Sequence, residues 1–590
     1  MRFRTDVLSL LIFTAAVAGP PAAAAERELF LAGGALKLCS SLSPRDCAAD
    51  ADVVGPRSRI APRYALEAGS IEAALDPGLW PAREAAREAM RALLEDGSEL
   101  PAADNLDADT LRERFASRCV DARDDVRRCR DGERSPWMQL DDDQRASVFA
   151  ALELPQFDGD VRRKERASLR HSRTQHGADI LRAFVAAARE RSGGEAPKIA
   201  VVTASASDPF DPVDFYLDAL REAGAEVEWW PLDAALAAAV FERRDCAALP
   251  ALRLQLLKLP ARERVYPDLA AQQQRACEQP DALAGLPQRV HGVFFSGGDQ
   301  WKLRRAFFDR DDRPNAWLLA LRDAVAKGDV VVGGTSAGSA VQSGGPMLSN
   351  GTVEHALKHG AVASTPPASG CARSGDCVGG LDEDAFTYWP AGGLGLAPGI
   401  VVDTHFSERS RELRLLRLLA ATGTRIGIGA DETSALHLRW RDEGGADGFV
   451  EIDALGASGG WAFDAAPGCD GSALRANAYY LAPGAVLRMD AVGLRWVDDA
   501  ILSSATTPAA APAARDALDG GALRAAAQDM ATTADVGLSF RRLRVRAIDT
   551  RVVLTRTAAT QSRHAADAAL ASVGPLRIEV APVPGCAPAR

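Results

Sequence analysis

Between residues 197 and 440 the sequence alternates apolar runs with amphipathic segments, which limits the chain to a small set of folds. KIAVVTASA, RVHGVFFSGGDQ and VVVGG are typical of buried strands, whereas DPVDFYLDALREAGA and NAWLLALRDAVAKG have the periodicity of helices. Strands that alternate with helices form a parallel sheet with helices on both faces. The sequence therefore predicts an α/β fold with a doubly wound, mostly parallel sheet, whose functional site lies at the carboxyl ends of its strands.

The segments on either side differ in composition. RELFLAGG, residues 27–34, is typical of a strand that ends in two glycines, and the segment after it has helical periodicity with few strand signals. Short strands follow the α/β region. The predicted division is a signal peptide at 1–25, a first strand of the catalytic domain at 26–47, a helical insertion at 48–195, the main catalytic segment at 196–440, its β-rich end at 441–503 and a C-terminal extension at 504–590.

The first 25 residues have the pattern of a secretory signal. Two arginines precede an apolar run over residues 7–19, and three alanines at 23–25 form a small-residue cleavage site. That run is too short to cross a bilayer, and no later run reaches the roughly 18–20 apolar residues that a spanning helix needs. We therefore expect cleavage near Ala25 and a soluble protein that is secreted or periplasmic.

The overall charge bears on the partners of the chain. A net charge of −11 argues against nucleic acid or an anionic membrane surface as a partner. The sequence leaves a homodimer open.

Ten cysteines, an even number, predict five disulfide bonds in an oxidising compartment. Pairing between sequence neighbours gives Cys39–Cys47, Cys119–Cys129, Cys246–Cys277 and Cys371–Cys377, and leaves Cys469–Cys586. Sequence alone does not fix this connectivity, and some free buried thiols are the alternative. No CxxC or paired His/Cys spacing occurs, so no zinc site is predicted.

The segment GDVVVGGTSAGSAVQSG, residues 328–344, carries Ser336 in a G-x-S-x-G pattern after a valine-rich strand. Such a pattern forms a sharp strand-to-helix turn that holds a serine out toward a substrate. Ser458 has the same flanking letters, but GWAFDAAPG follows it and cannot begin a helix. Ser336 is therefore the candidate nucleophile, and the alternative is a polar residue in a tight turn.

A nucleophilic serine needs a base. Among the eight histidines, His405 ends an apolar strand before an arginine-rich helix, where it can meet Ser336. His355 and His359 have the i,i+4 spacing that zinc also uses, but the HExxH arrangement is missing. No metal and no organic cofactor is predicted.

Three motifs in order resemble the cyanophycinase family of serine peptidases: GGDQ after VFF, GTSAG after a valine strand, and D-x-H-F-x-x-R-x-R-x-x-R from Asp403. GIGADETSALHL, residues 427–438, is similar to the closing strand of that family. The resemblance covers residues 28–40 and about 197–440. It implies a sheet like that of the class I glutamine amidotransferases and hydrolysis of cyanophycin, a poly-aspartate with arginine-linked side chains, to β-Asp-Arg dipeptides.

The resemblance also implies roles for individual residues. Ser336 matches the nucleophile, His405 the base and Glu354, in NGTVEHAL, the acid that orients the base. The backbone N–H groups of Gly298 and Ala337 match an oxyanion hole. The substrate pocket maps onto Gln300, Asp403, Thr404, Arg409, Arg411 and Arg414.

Two features depart from the family pattern. Thr404 stands where the family usually has glutamine, and a loop with Cys371 and Cys377 lengthens the interval between Ser336 and His405. The sequence leaves open whether this loop walls the pocket, changes specificity or only decorates the rim. The alternatives to a cyanophycinase-like peptidase are a peptidase of the same fold for another isoaspartyl or acidic peptide, a secreted esterase, and a secreted protein that binds without catalysis.

Overall fold

The computed structural model describes residues 27–80, 83–96, 105–121, 125–441, 448–497, 516–532, 540–565 and 569–586. The predicted signal peptide at 1–25 lies outside these ranges. Within them, no helix is both long enough and apolar enough to cross a membrane.

The N-terminal part begins with one strand of the main sheet and continues with helices and short strand pairs. Its strands are β1 Glu28–Ala32, β2 Cys39–Ser40, β3 Arg118–Val120, β4 Val126–Arg128, β5 Phe157–Asp158, β6 Val161–Arg162 and β7 Ala167–Ser168. Its helices are α1 Ala68–Ala74, α2 Glu84–Glu95, α3 Ala108–Ser117, α4 Asp142–Leu152 and α5 His176–Arg191. Helix α5 covers the main sheet, because Phe184 packs edge-on against Phe30 of β1.

The central part alternates strands and helices as the sequence predicts. Its strands are β8 Lys198–Val202, β9 Glu226–Trp229, β10 Gly292–Phe295 and β11 Val331–Thr335. Its helices are α6 Val213–Glu222, α7 Ala234–Ala237, α8 Leu249–Leu257, α9 Arg262–Val265, α10 Pro267–Glu278, α11 Pro280–Ala284, α12 Gln300–Arg305 and α13 Ala316–Ala326.

The remainder of the chain is dominated by strands. They are β12 Met347–Asn350, β13 Val362–Ala363, β14 Thr387–Trp389, β15 Ile400–Thr404, β16 Ile426–Ala430, β17 Ser434–Arg441, β18 Phe449–Gly456, β19 Gly460–Ala465, β20 Leu474–Leu481, β21 Val486–Met489, β22 Leu494–Trp496, β23 Phe540–Val545, β24 Thr550–Arg563 and β25 Ser572–Ala581. The helices are α14 Ala337–Ala340, α15 Val353–His359, α16 Cys371–Ser374, α17 Glu412–Thr422 and α18 Ala522–Thr532.

Two large sheets organise the described residues. The first has the order β22-β21-β18-β17-β1-β11-β10-β8-β9. Strands β1, β11, β10, β8 and β9 run parallel, whereas β17, β18, β21 and β22 pair antiparallel. The α/β class and a parallel portion are thus confirmed, but this sheet is mixed rather than mostly parallel, because short connections after β17 favour antiparallel neighbours.

The second sheet has the order β15-β16-β19-β20-β25-β24-β23. Strands β15 and β16 are parallel, and the strands beyond them pair antiparallel. Strands β23 to β25 come from the segment predicted as a C-terminal extension. The described part of that segment therefore extends the second sheet.

The two sheets share one apolar core. Leu29 and Leu31 of β1 pack in the same buried cluster as Val402 of β15 and Ile428 of β16. Phe30, on the opposite face of β1, packs under α5. This alternation follows the two-residue period of a strand.

The five predicted disulfide pairings are confirmed. The structure joins Cys39–Cys47, Cys119–Cys129, Cys246–Cys277, Cys371–Cys377 and Cys469–Cys586. No cysteine is left free.

Candidate active site

Ser336 occupies a tight turn between β11 and α14. Its φ is 53°, a left-handed value that is uncommon outside glycine. Side chains at Gly334 and Gly338 would come within 2.3 Å of backbone oxygens, those of Gly338 and Phe295 respectively. The two glycines are therefore required for this turn to close. The structure therefore contains the sharp strand-to-helix turn that the sequence predicts.

His405 follows β15 and meets the serine. Its Nε2 lies 2.8 Å from Ser336 Oγ. A Cβ at Gly34 would come within 2.3 Å of the His405 ring, and the Gly33 carbonyl accepts a hydrogen bond of 2.8 Å from the His405 backbone N–H. The paired glycines after β1 thus make room for the imidazole and hold its backbone.

The carboxylate beside His405 belongs to Glu432, not to Glu354. Glu432 Oε1 lies 2.7 Å from His405 Nδ1. Glu354 instead lies on α15, where its carboxylate pairs with Lys358 one turn later. The structure does not bring Glu354 to His405: its predicted role rested on the resemblance and on the spacing after Ser336, whereas its side chain contacts Lys358 on α15.

Strand pairing explains why Glu432 reaches the histidine. Strands β15 and β16 run parallel with Thr404 opposite Ala430, so the residues that follow them leave the sheet at the same edge. His405 comes directly after β15, and Glu432 comes two residues after β16. The signal was present in GIGADETSALHL, whose acidic residues follow an apolar run.

Of the two residues predicted as an oxyanion hole, Ala337 directly follows the serine and Gly298 lines the same cavity. Ala337 begins α14, so its N–H points out of the first helical turn. Gly298 has a φ of 145°, and a Cβ there would come within 2.1 Å of the Ser205 carbonyl oxygen. Among the described residues, no acceptor contacts the Gly298 N–H. Gly298 lines the same cavity as Ser336.

A cavity of about 330 Å³ opens at Ser336 and His405. Every residue predicted for the substrate pocket lines it: Gln300, Asp403, Thr404, Arg409, Arg411 and Arg414. The loop between Ser336 and His405 lines it as well, through Pro366, Pro367, Ser369 and Asp384. The sequence left three roles open for this loop. In the structure, the loop forms part of the wall of the cavity.

The helical insertion braces this wall. The Ser369 hydroxyl donates to Asp142 Oδ2 at 2.7 Å, and the Asp142 N–H donates to the Ser369 carbonyl at 3.0 Å. Arg83 donates to Asp376 at 2.6 Å within the segment closed by the Cys371–Cys377 disulfide. The insertion therefore contacts the loop that lines the cavity.

Some of the charged groups in the cavity are already paired. Arg414 donates to both oxygens of Asp403 at 2.8 and 2.7 Å, and both residues are buried. Burial opposes ionisation of Asp403, but Arg414 and Arg411 outweigh it and keep the pKa of Asp403 below its ordinary value. Arg411 donates to the Thr404 carbonyl, and burial together with Arg414 lowers the pKa of Arg411 to about 9.

Two exposed charges face the remaining space. Arg409 lies on the wall that follows β15, and Asp384 lies in the loop between Ser336 and His405. Neither side chain has a hydrogen bond or ion pair with another residue in the described ranges. Gln300, by contrast, uses its side-chain amide to donate to the Leu348 carbonyl. The cavity thus offers one free cation and one free anion, so far as the described residues show.

The surroundings of His405 favour the neutral form of its imidazole. Burial lowers the pKa of His405, and the positive charges of Arg409 and Arg411 lower it further, whereas Glu432 acts in the opposite direction. A neutral imidazole can accept a proton at Nε2 while Nδ1–H donates to Glu432. The arrangement is that of an activated serine.

Comparison with known proteins points to one group. No protein-family model matches the chain. The cyanophycinase of Trichormus variabilis is 26% identical over 283 residues, which are 48% of this chain and 67% of that protein. The cyanophycinase of Synechococcus elongatus is 34% identical over 180 residues, 30% of this chain and 44% of that protein. That of Geminocystis herdmanii is 30% identical over 145 residues, 25% and 42% respectively.

Proposed function

Because part of this chain is cyanophycinase-like, we propose that the protein is a serine peptidase that hydrolyses cyanophycin to β-Asp-Arg dipeptides. The observation that carries the proposal is the contact series from Ser336 through His405 to Glu432, with distances of 2.8 and 2.7 Å. This is the geometry of a nucleophile, a base and an orienting acid.

The reaction follows from these contacts. Ser336 Oγ attacks the scissile carbonyl as its proton passes to Nε2 of His405, and Glu432 stabilises the imidazolium through Nδ1–H. His405 then gives that proton to the leaving amine, and the C–N bond breaks to leave an acyl ester on Ser336. Water, deprotonated by His405, attacks the ester and returns the serine to its hydroxyl form.

The tetrahedral intermediate needs donors for its oxyanion. We assign this role to the backbone N–H groups of Gly298, which lines the cavity of the nucleophile, and of Ala337, the residue after the nucleophile. Fixed donors of this kind are worth about 10²–10³ in rate each.

The charges in the cavity suit an acidic, isoaspartyl substrate. Arg409 and Arg411 can receive a carboxylate of the substrate. The Asp403–Arg414 pair is satisfied internally, so it shapes the wall rather than offering a free charge. Thr404 and the loop that carries Asp384 favour a second candidate, a peptidase of the same fold for another isoaspartyl or acidic peptide.

We further propose that the protein acts in the periplasm or outside the cell. Five disulfide bonds suit an oxidising compartment. The signal peptide predicted at 1–25 is the other support for export.

Mass spectrometry of the products tests the proposal. The full chain is incubated with cyanophycin and with a panel of β-aspartyl and α-linked dipeptides, and Ser336→Ala serves as the matched control. We expect β-Asp-Arg from the wild-type protein and a loss of about 10⁴-fold or more in the variant. Full activity in Ser336→Ala would overturn the mechanism, and cleavage of only other isoaspartyl peptides would select the second candidate.

A further inference from the structure

Helix α18, in the C-terminal segment, sends one arginine toward the active site. Nη1 of Arg524 donates to Glu408 Oε1 at 2.5 Å and to Asp431 Oδ2 at 2.8 Å. Residues 516–532, which include this helix, fall outside the part of the sequence that resembles cyanophycinases. The chemistry proposed above does not use Arg524.

Arg524 contacts two carboxylates. Each of them accepts a backbone hydrogen bond from the turn that carries the base or from the turn that carries the acid. Glu408 Oε2 accepts the backbone N–H of Glu432 at 2.9 Å. Asp431 Oδ1 accepts the backbone N–H of Ser407, two residues after His405, at 2.9 Å. Arg524 therefore ties the turn after β15 to the turn after β16.

The charge balance at this point depends on the same guanidinium. Asp431 is fully buried and Glu408 is mostly buried, and Glu432 adjoins both. Burial and the charge of Glu408 raise the pKa of Asp431, and Arg524 opposes that rise. Tyr480 also donates to Asp431, at 3.2 Å, but a hydroxyl supplies no charge. Removal of Arg524 would leave neighbouring carboxylates without the cation that they share.

We propose that Arg524 is a positioning residue for the proposed reaction, holding Glu408 and Asp431 so that Glu432 stays against His405. The C-terminal segment is then part of the active-site architecture of this chain. The inference rests on the proposed function, since it concerns the same serine, base and acid.

A purely structural role for α18 is the competing explanation. The helix buries Leu523, Ala527 and Met530 in the core of the second sheet, so a variant could act through stability alone. Gln528, one turn after Arg524, provides the matched control. Its side-chain amide exchanges two hydrogen bonds of 2.8 Å with the backbone of Ala571, away from the catalytic turns.

The experiment compares Arg524→Gln, Arg524→Lys and Gln528→Ala in the full chain. It measures Tm, kcat and KM on cyanophycin, and the rate at which a fluorophosphonate labels Ser336 between pH 5 and 9. For Arg524→Gln we expect kcat and the labelling rate to fall about 10- to 100-fold, as for a misplaced catalytic group, with KM little changed. Arg524→Lys keeps the charge on a different head group, so it should recover part of the loss and still fall about two- to fivefold short of the wild-type kcat.

The pH profile separates positioning from stability. His405 faces Glu432, Arg409 and Arg411, and loss of Arg524 removes the positive charge beside Glu408 and Asp431, so the surroundings become less positive, which favours the imidazolium. The acid limb of labelling should therefore move to higher pH in Arg524→Gln and stay in place in Gln528→Ala, even where both lower Tm.

The possible outcomes separate a failure of the proposed function from a failure of the inference about Arg524. A wild-type protein that the probe does not label contradicts the proposed function, and the inference falls with it. A labelled wild-type protein with an Arg524→Gln variant of equal rate and equal pH limb overturns the inference alone. Should Arg524→Gln fail to fold, Arg524→Lys decides: a reduced kcat with an unchanged Tm supports the inference, and wild-type kcat overturns it.

Discussion

The serine and its base stand on two different sheets that are assembled in different ways. The sheet of Ser336 takes its parallel strands β8 to β11 from one continuous segment, with β1 added. The sheet of His405 and Glu432 pairs β15 with β16 and then recruits β24 and β25 from the far end of the chain. The nucleophile is therefore set by a tight turn of small residues, whereas the base and the acid are brought together by the pairing of β15 with β16.

The turn after β1 contacts the catalytic histidine. Gly34, two residues after the strand, has a φ of 108° and lies against the His405 ring. We expect Gly34→Ala to lower kcat about 100-fold or more, because the new methyl group would displace the imidazole from Ser336. The control is Gly399→Ala, which also replaces a glycine of positive φ but has open space around it. Equal kcat values for the two variants would contradict this account of β1.

The pH dependence reports on the second sheet. Since the pKa of His405 is lowered by burial and by Arg409 and Arg411, the base is neutral above a pKa that lies below the ordinary histidine value. We expect kcat/KM to rise about tenfold per pH unit on the acid side, with the midpoint of this limb below the ordinary histidine value of about 6.5. Arg409→Gln should move this limb to higher pH. If the acid limb of the wild-type protein had its midpoint above pH 7, the surroundings would not lower the pKa of His405 as described.

The smallest effect that we expect concerns substrate specificity. Asp384, the exposed anion of the cavity wall, is placed to attract the guanidinium of an arginine-bearing substrate. Asp384→Asn should raise KM for β-Asp-Arg about three- to tenfold and leave KM for a β-aspartyl dipeptide with an apolar side chain unchanged. Asp382→Asn, an exposed neighbour outside the cavity lining, is the matched control. An equal change for both substrates would remove Asp384 from substrate recognition.

The sequence predicts well what depends on neighbouring residues. The turn at Ser336 follows from glycines whose side chains would strike the backbone, and His405 follows from its place after an apolar strand. The disulfides follow from short spacings in a chain predicted to be exported, with one long pair left over. The serine turn and the place of the histidine depend mainly on residues close to them in the sequence. The four short cysteine pairs leave only one possible fifth pair.

The sequence predicts poorly what depends on strand partners. Glu354 has a plausible spacing, but only the parallel pairing of β15 with β16 brings Glu432 to the histidine. The mixed direction of the first sheet and the return of the C-terminal strands to the second also depend on pairing between distant residues. Because strand order is not encoded in local periodicity, these features needed the structure.

We propose that Glu432, and not Glu354, orients the base. The direct measurement is kcat of Glu432→Gln and Glu354→Gln on one substrate, together with the labelling rate of Ser336. We expect Glu432→Gln to lose about 10³–10⁴-fold, as when the orienting acid of a serine triad becomes an amide. Glu354→Gln, which breaks only an ion pair on α15, should stay within about twofold of the wild-type rate. A severe loss in Glu354→Gln with near-normal turnover in Glu432→Gln would contradict the account.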